Sequence, residues 1–305
     1  MSEQARRIST MNGGISQSQR RELATKANQQ SVNVRLKSGC DLIKPICIYD
    51  VCAKMGVKVT FSEINMEGMY QRGTPPRIHL PSSIVRPIGR RAYTCAHELG
   101  HHVFGHGSTI DELAEERGQN SWELPNEFIA DSFASHLLMP TLALRDAFAV
   151  RGILPEMATP IQIHLIANIF KVGYSTLLTH LCFGAEMISF ARYEEMKKIK
   201  LPNIRAEILG QITSRQLLTF DELSNSPTID AEVEHLIVLP SGVSCESDAL
   251  QFVGDVTLGA VFEAKEPGII RIARPDQTWA AFIRISRKNY VGHAGYRHLE
   301  DDTDD

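Results

Sequence analysis

The chain lacks any apolar run of membrane-spanning length, and residues 1–30 lack the apolar core of a secretory leader. Both absences predict a cytosolic protein with no membrane partner. Among the six cysteines, Cys40, Cys47, Cys52, Cys95, Cys182 and Cys245, there is no Cys-x-x-Cys pair. That spacing indicates neither a thiolate zinc site nor a disulfide framework, and Cys95 reads as a core residue. Positive charge is not in excess either: the formal net charge is −4 and the pI near 6.3, which argues against a dedicated nucleic-acid binder. What charge there is lies unevenly. Arg6, Arg7, Arg20, Arg21, Lys26, Arg35 and Lys37 make the N-terminus basic, and Glu300 to Asp305 form an acidic tail. Residues 1–35 are therefore read as a flexible basic segment. With 305 residues, 43% hydrophobic and 22% charged, the chain can bury one large core or two modest ones.

What is present is the stretch His97-Glu98-Leu99-Gly100-His101. On a helix, imidazoles four residues apart share a face and can hold one metal ion, while Glu98 lies beside the ion and can accept a proton from water. The surrounding sequence supports the helix. Arg91 to Phe104 contains no proline, Ala92, Cys95, Ala96, Leu99 and Val103 recur at helical spacing, and Gly105 can end it. The neighbouring His102 and His106 fall off the shared face, and the spacing to His106 misses a third-histidine pattern by one residue. They read as solvent-facing or helix-capping residues.

After a polar, acidic segment from Gly107, the run Asn126 to Met139 predicts a second helix, entered through Pro125 and closed before Pro140. Glu127 and Asp131 lie one turn apart on one side of it. Glu127 can complete a two-histidine, one-carboxylate site that leaves a fourth position open, the catalytic form of a zinc site. Asp131 can accept the outer N–H of a ligand histidine and so set its tautomer.

The strings Arg91-Ala92-Tyr93-Thr94-Cys95-Ala96-His97-Glu98-Leu99-Gly100-His101 and Glu127-Phe128-Ile129-Ala130-Asp131-Ser132-Phe133-Ala134, with Leu137-Leu138-Met139-Pro140, together resemble the ImmA/IrrE metallo-endopeptidases. The resemblance runs from about Pro45 to Leu181. It departs at Tyr93, where the family has Phe, and at Asp131, where it has Asn; the aspartate also makes the second motif similar to that of thermolysin-like gluzincins. The resemblance implies an α+β fold: a mainly helical, zincin-like core at 36–140 with a small β-sheet whose edge can hold an extended peptide. It implies zinc, with manganese as the alternative, and a helix-turn-helix transcriptional repressor as the substrate. Strands are expected at Val57 to Phe61, Gly68 to Gln71 and Arg77 to Leu80, after a short helix from Pro45 to Met55. Tyr70 and Tyr93 are candidate stabilisers of the transition state.

Residues 141–200 continue as helices, and Ile163 to Leu181 looks like a helix-turn-helix with Gly173 in the turn. Its second helix holds no arginine, so direct DNA readout is disfavoured. From 201 to 305 the pattern changes to short strands, at Glu234 to Pro240, Leu250 to Val253, Leu258 to Ala264, Ile269 to Ala273 and Trp279 to Ser286. This predicts a separate β-rich domain of a sensor or regulatory kind. In it, Arg284, Arg287, Lys288, Tyr290, His293, Tyr296, Arg297 and His298 interleave basic and aromatic groups that could receive a small-molecule or nucleic-acid signal. The expected activity is zinc-dependent cleavage of a repressor, relieving repression of stress-response or mobile-element genes. The rival readings are a metal-containing protein that binds without cleaving and a DNA-binding regulator.

Overall fold

The computed structural model describes residues 15–63, 66–82, 87–111, 124–224 and 228–299. Arg6, Arg7, much of the acidic segment before Pro125 and the acidic tail lie outside these residues. The chain runs through α1 (Gln17–Lys37), α2 (Ile48–Lys54), β1 (Lys58–Ser62), β2 (Gly68–Gln71), β3 (Arg77–Pro81), α3 (Ile88–Phe104), β4 (Thr109–Asp111) and α4 (Pro125–Leu138). Helices α5 (Thr141–Ala149), α6 (Pro160–Ile169), α7 (Tyr174–Phe183), α8 (Phe190–Lys197) and α9 (Leu201–Leu209) follow. Strands β5 (Leu217–Thr219), β6 (Thr228–Glu232), β7 (Leu236–Leu239), β8 (Leu250–Val256), β9 (Gly259–Ala264), β10 (Gly268–Ala273), β11 (Ala280–Ser286) and β12 (Gly292–His293) complete it. The fold is α+β, as expected, and no helix among the described residues is long and apolar enough to cross a membrane.

The core is a helix pair under a sheet. Helix α3 is amphipathic and buries Ala92, Cys95, Ala96 and Leu99 against the sheet β12-β1-β3-β2-β4 on one side and against α4 on the other. It stops where expected. Gly105 takes a left-handed conformation at φ 70°, and its N–H turns back to the carbonyls of His101 and His102. In the sheet, β1 and β3 run parallel, whereas β3 pairs antiparallel with β2 and β2 with β4. Alternate residues Val59, Phe61, Ile78 and Leu80 face the helices and are buried.

The N-terminal segment departs from its reading as a flexible arm. From Gln17 it is a 21-residue helix, opened by a Ser16–Gln19 capping box and packed along α4. The reason is Arg35, which is 1% exposed. Its guanidinium donates to Leu137 O at 2.8 Å and Leu138 O at 3.5 Å, and also to the carbonyls of Asp41 and Lys44 at 2.6 and 3.0 Å. Leu137 and Leu138 end α4, whose last carbonyls have no partner within the helix, so the cation satisfies them and meets the negative end of the helix dipole. A residue that composition assigns to solvent thus ties α1 to the helix that carries Glu127.

The boundary expected at residue 201 also moves. Pro202 occupies the first turn of α9, where a missing N–H costs nothing, so helix continues to Leu209. Beyond it the five expected strands form, together with β5 and β6, in a four-stranded sheet β5-β7-β9-β8 and a three-stranded sheet β10-β11-β6. The region is not separate from the core. Strand β12 extends the core sheet, with His293 opposite Thr60 and Gly292 opposite Phe61. Arg91 of α3 pairs with Glu232 of β6 at 2.8 Å, both side chains being 5% exposed. Asp230 binds Lys171 at 2.6 Å, Arg284 at 2.7 Å and Arg297 at 3.2 Å. Burial alone would raise the Asp230 carboxyl, but the three cations hold it far below the carboxylate range. Arg284 and Arg297, read as part of a basic and aromatic set that could receive a signal, are thus both engaged by Asp230, and Arg284 also pairs with Asp50 at 2.8 Å.

Candidate metal centre

Helices α3 and α4 cross where Gly100 meets Ala130. A Cβ on Gly100 would lie 3.1 Å from the Ala130 Cα and 3.1 Å from Phe133 Cδ1. Only hydrogen fits there without the helices moving apart. That close approach brings Glu127, in the first turn of α4, over the face that carries His97 and His101.

The three side chains converge. His97 Nε2 lies 3.0 Å from His101 Nε2 and 3.3 Å from Glu127 Oε2, and His101 Nε2 lies 3.5 Å from Glu127 Oε1. Tetrahedral zinc with bonds of about 2.0–2.1 Å has ligand-to-ligand edges of about 3.3–3.4 Å, so this donor set has the size of one face of such a polyhedron. The chemistry of the set agrees. His97 Nδ1 is 2.8 Å from Asp131 Oδ1; a carboxylate can only accept there, so the proton sits on Nδ1 and the Nε2 of a neutral ring presents a lone pair. Two imidazoles and a carboxylate offering lone pairs to one point would repel one another without a cation between them. Among the described residues His97, His101 and Glu127 form the group that could hold a metal ion.

The expected surroundings are partly as read. Asp131 meets His97 as expected. Tyr93 and Tyr70 meet other partners: the Tyr93 hydroxyl donates to Asp131 O at 3.2 Å and lies 3.1 Å from Ser135 Oγ, joining α3 to α4. Burial, with Asp131 nearby, pushes that phenol far above its ordinary range. The Tyr70 hydroxyl lies 2.8 Å from His102 Nδ1 and is likewise raised by burial. His102 is therefore a partner of β2 and not a solvent-facing group. His106 is corrected too. Its Nδ1 lies 2.8 Å from His101 Nδ1, with which it exchanges a hydrogen bond. The left-handed turn at Gly105 redirects the chain, so helical pitch does not place His106.

Glu98 is 0% exposed, and β2 passes directly over it. A Cβ on Gly68 would lie 2.6 Å from Thr94 Cγ2 and 3.1 Å from Glu98 Oε1. Sequence reading singled out neither this glycine nor Gly100, because both act through an approach between segments far apart in the chain. Gly68→Ala is expected to push β2 off α3, costing about 1–3 kcal/mol as overpacking does. Denaturant midpoints check this, and an unchanged midpoint would show that β2 relaxes freely.

Residues 52–181 match the family model described as the IrrE N-terminal-like domain, a peptidase family. No curated protein matches the chain.

Proposed function

Residues 52–181 are an IrrE N-terminal-like domain of the ImmA/IrrE metallopeptidases, and from that premise we propose that the protein is a zinc-dependent endopeptidase whose substrate is a helix-turn-helix transcriptional repressor. The observation that carries the reading is the convergence of His97, His101 and Glu127 next to the buried carboxylate of Glu98. His97, His101 and Glu127 would hold the ion. At such a site zinc supplies Lewis-acid polarisation of the scissile carbonyl and acidifies the attacking water. Glu98 takes the proton from that water and passes it to the leaving nitrogen. Asp131 holds His97 in the tautomer that directs Nε2 inward, and His106 orients His101 in the same way. An extended peptide laid along the sheet beside α3 would be gripped by its main chain.

The helix-turn-helix-like pair α6–α7 supports a packing role rather than DNA readout. Tyr174, Leu177, Leu178 and Leu181 face the core, His180 donates to Met139 O at 2.9 Å, and the exposed Ser175 and Thr179 carry no charge.

The test is to incubate the zinc-loaded chain with a purified helix-turn-helix repressor encoded beside it. Two repressor fragments should appear, vanish with a chelator and return with added zinc. Cleavage of unstructured peptides with the repressor left intact would remove the substrate assignment and keep the peptidase. Asp131→Ala is expected to weaken zinc binding about 10–100-fold, the usual effect of deleting such a partner. Competition with a fluorescent zinc chelator measures this; an unchanged affinity would show that Asp131 does not tune the site.

A further inference from the structure

Away from the metal centre, a half-open cavity of about 240 Å³ lies between α2, the first turn of α3, the α6–α7 turn, α9 and β5. Backbone contact and side-chain bonds frame it. A Cβ on Gly89 would lie 3.0 Å from Gly173 N and from the Val172 carbonyl carbon, so α3 begins against the turn before α7. Asn168 of α6 donates to Thr219 Oγ1 of β5 at 3.0 Å, and Lys171 pairs with Asp230 of β6 at 2.6 Å. Closing the space would cost those bonds, so it belongs to the fold.

The wall asks for no charge. Asp230, its only carboxylate among the described residues, is shared by Lys171, Arg284 and Arg297. Arg90 donates to both oxygens of Glu67, and burial lowers the His164 imidazole to about 4, which leaves it neutral. Arg205 donates to Arg215 O at 3.0 Å and Gln216 Oε1 at 2.7 Å, and its Nε is closed to solvent. The rest of the wall is mainly apolar: Ile88, Leu201 and Leu218, each half-buried, and the rings of Tyr174 and Phe220. Protein interiors leave few voids larger than a water. An apolar cavity of about 150 Å³ stays dry and takes up benzene, and in proportion this one has room for about ten non-hydrogen atoms. The wall rings favour an aromatic body, because ring–ring contacts add to the burial of area. A charge carried in would find no open partner, which is costly at an apolar site.

We propose that this cavity binds an uncharged aromatic molecule of about ten non-hydrogen atoms. The site is distinct from the metal centre, and the proposal does not depend on peptide hydrolysis.

Calorimetry, thermal unfolding and methyl NMR of the zinc-loaded full chain test it, with indole and acetophenone as uncharged probes. Benzoate and benzamidinium share the shape of acetophenone and add one negative or one positive charge. At least one uncharged probe should bind with a dissociation constant of about 1 mM or tighter and raise Tm. Its first methyl shifts should be those of Ile88, Leu201 and Leu218. The two ions should bind at least about tenfold more weakly at these methyls. Leu218→Trp, which fills part of the space from the wall, should weaken the uncharged probe at least about tenfold, and NMR on the unaltered chain locates the site even if that variant folds poorly. No binding by either uncharged probe, equal binding by an ion at the same methyls, shifts that leave this wall unmoved, or unchanged affinity in a stably folded Leu218→Trp would overturn the proposal.

Discussion

Replacing Glu98 by glutamine should lower peptide hydrolysis at least about 10³-fold while zinc content and Tm stay near those of the original chain. The side chain is 0% exposed in the middle of α3, directly after His97 and beneath β2. Glutamine keeps its shape and its length, so the packing under Gly68 has no reason to change. It cannot accept a proton. General acid–base catalysis by one positioned group is worth about 10²–10⁴-fold, and here the same carboxylate would act twice, on the water and then on the leaving nitrogen. The measurements are turnover of the cleaved repressor, zinc by elemental analysis and Tm on one preparation. If hydrolysis stays within tenfold with zinc bound, Glu98 is not the base. If zinc is lost as well, the experiment has read metal binding instead, and Glu98→Asp, which keeps the charge and withdraws it from the site, becomes the comparison.

The second large effect is on stability. Glu232→Leu should destabilise the chain by about 3–5 kcal/mol, as removing one member of a buried ion pair does. Glu232 accepts from Arg91 Nη2 at 2.8 Å and from the Asn289 N–H at 3.1 Å. Arg91 has little water to turn to, since its side chain is 5% exposed and its guanidinium lies over the Phe61 ring at 5.2 Å. Losing the acid would leave a buried cation six residues before His97, on the helix that carries the metal-facing histidines. The double variant Arg91→Met with Glu232→Leu should recover most of the loss, because both charges then leave together and apolar side chains fill the space. Truncation near Pro202 should be worse than Glu232→Leu: it cuts the first turn of α9, removes Glu232 and strips β12 from the edge of the core sheet. Urea unfolding of the four proteins decides the matter. A Glu232→Leu midpoint within about 1 kcal/mol of the original, or a truncated chain that folds as well as the whole, would show that the C-terminal strands are an independent unit after all.

How much of this was legible in the residues depends on the range over which each feature acts. Helix α3, its stop at Gly105, helix α4 behind Pro125 and strands β1, β2 and β3 of the small sheet follow from periodicity and turn chemistry within about fifteen residues, and they lie close to where the sequence predicts them; β4 and β12 of that sheet have no such local signal. Strand β6 escaped notice because Thr-Ile-Asp-Ala-Glu reads as a short polar stretch with a solvated face. In the fold that face is inside: Asp230 and Glu232 meet cations from α6–α7, β11 and α3. Arg35 was misread for the same reason, a charge assigned to water that finds carbonyls of a helix about a hundred residues away.

By itself the sequence determined the chemistry on offer: two imidazoles and a carboxylate on one helix, an acidic pair one turn apart on a second, and an α+β chain without a membrane-crossing run. Only the tertiary structure decided how close those groups come. Gly100 and Gly68 let two segments approach to contact distance, His106 turns back onto His101, and the C-terminal strands close over α3 through a buried ion pair. Spacing along a helix follows from backbone geometry that every sequence shares, whereas the meeting of distant segments depends on which pairs of surfaces can bury their charges and side chains together, and no local pattern encodes that pairing.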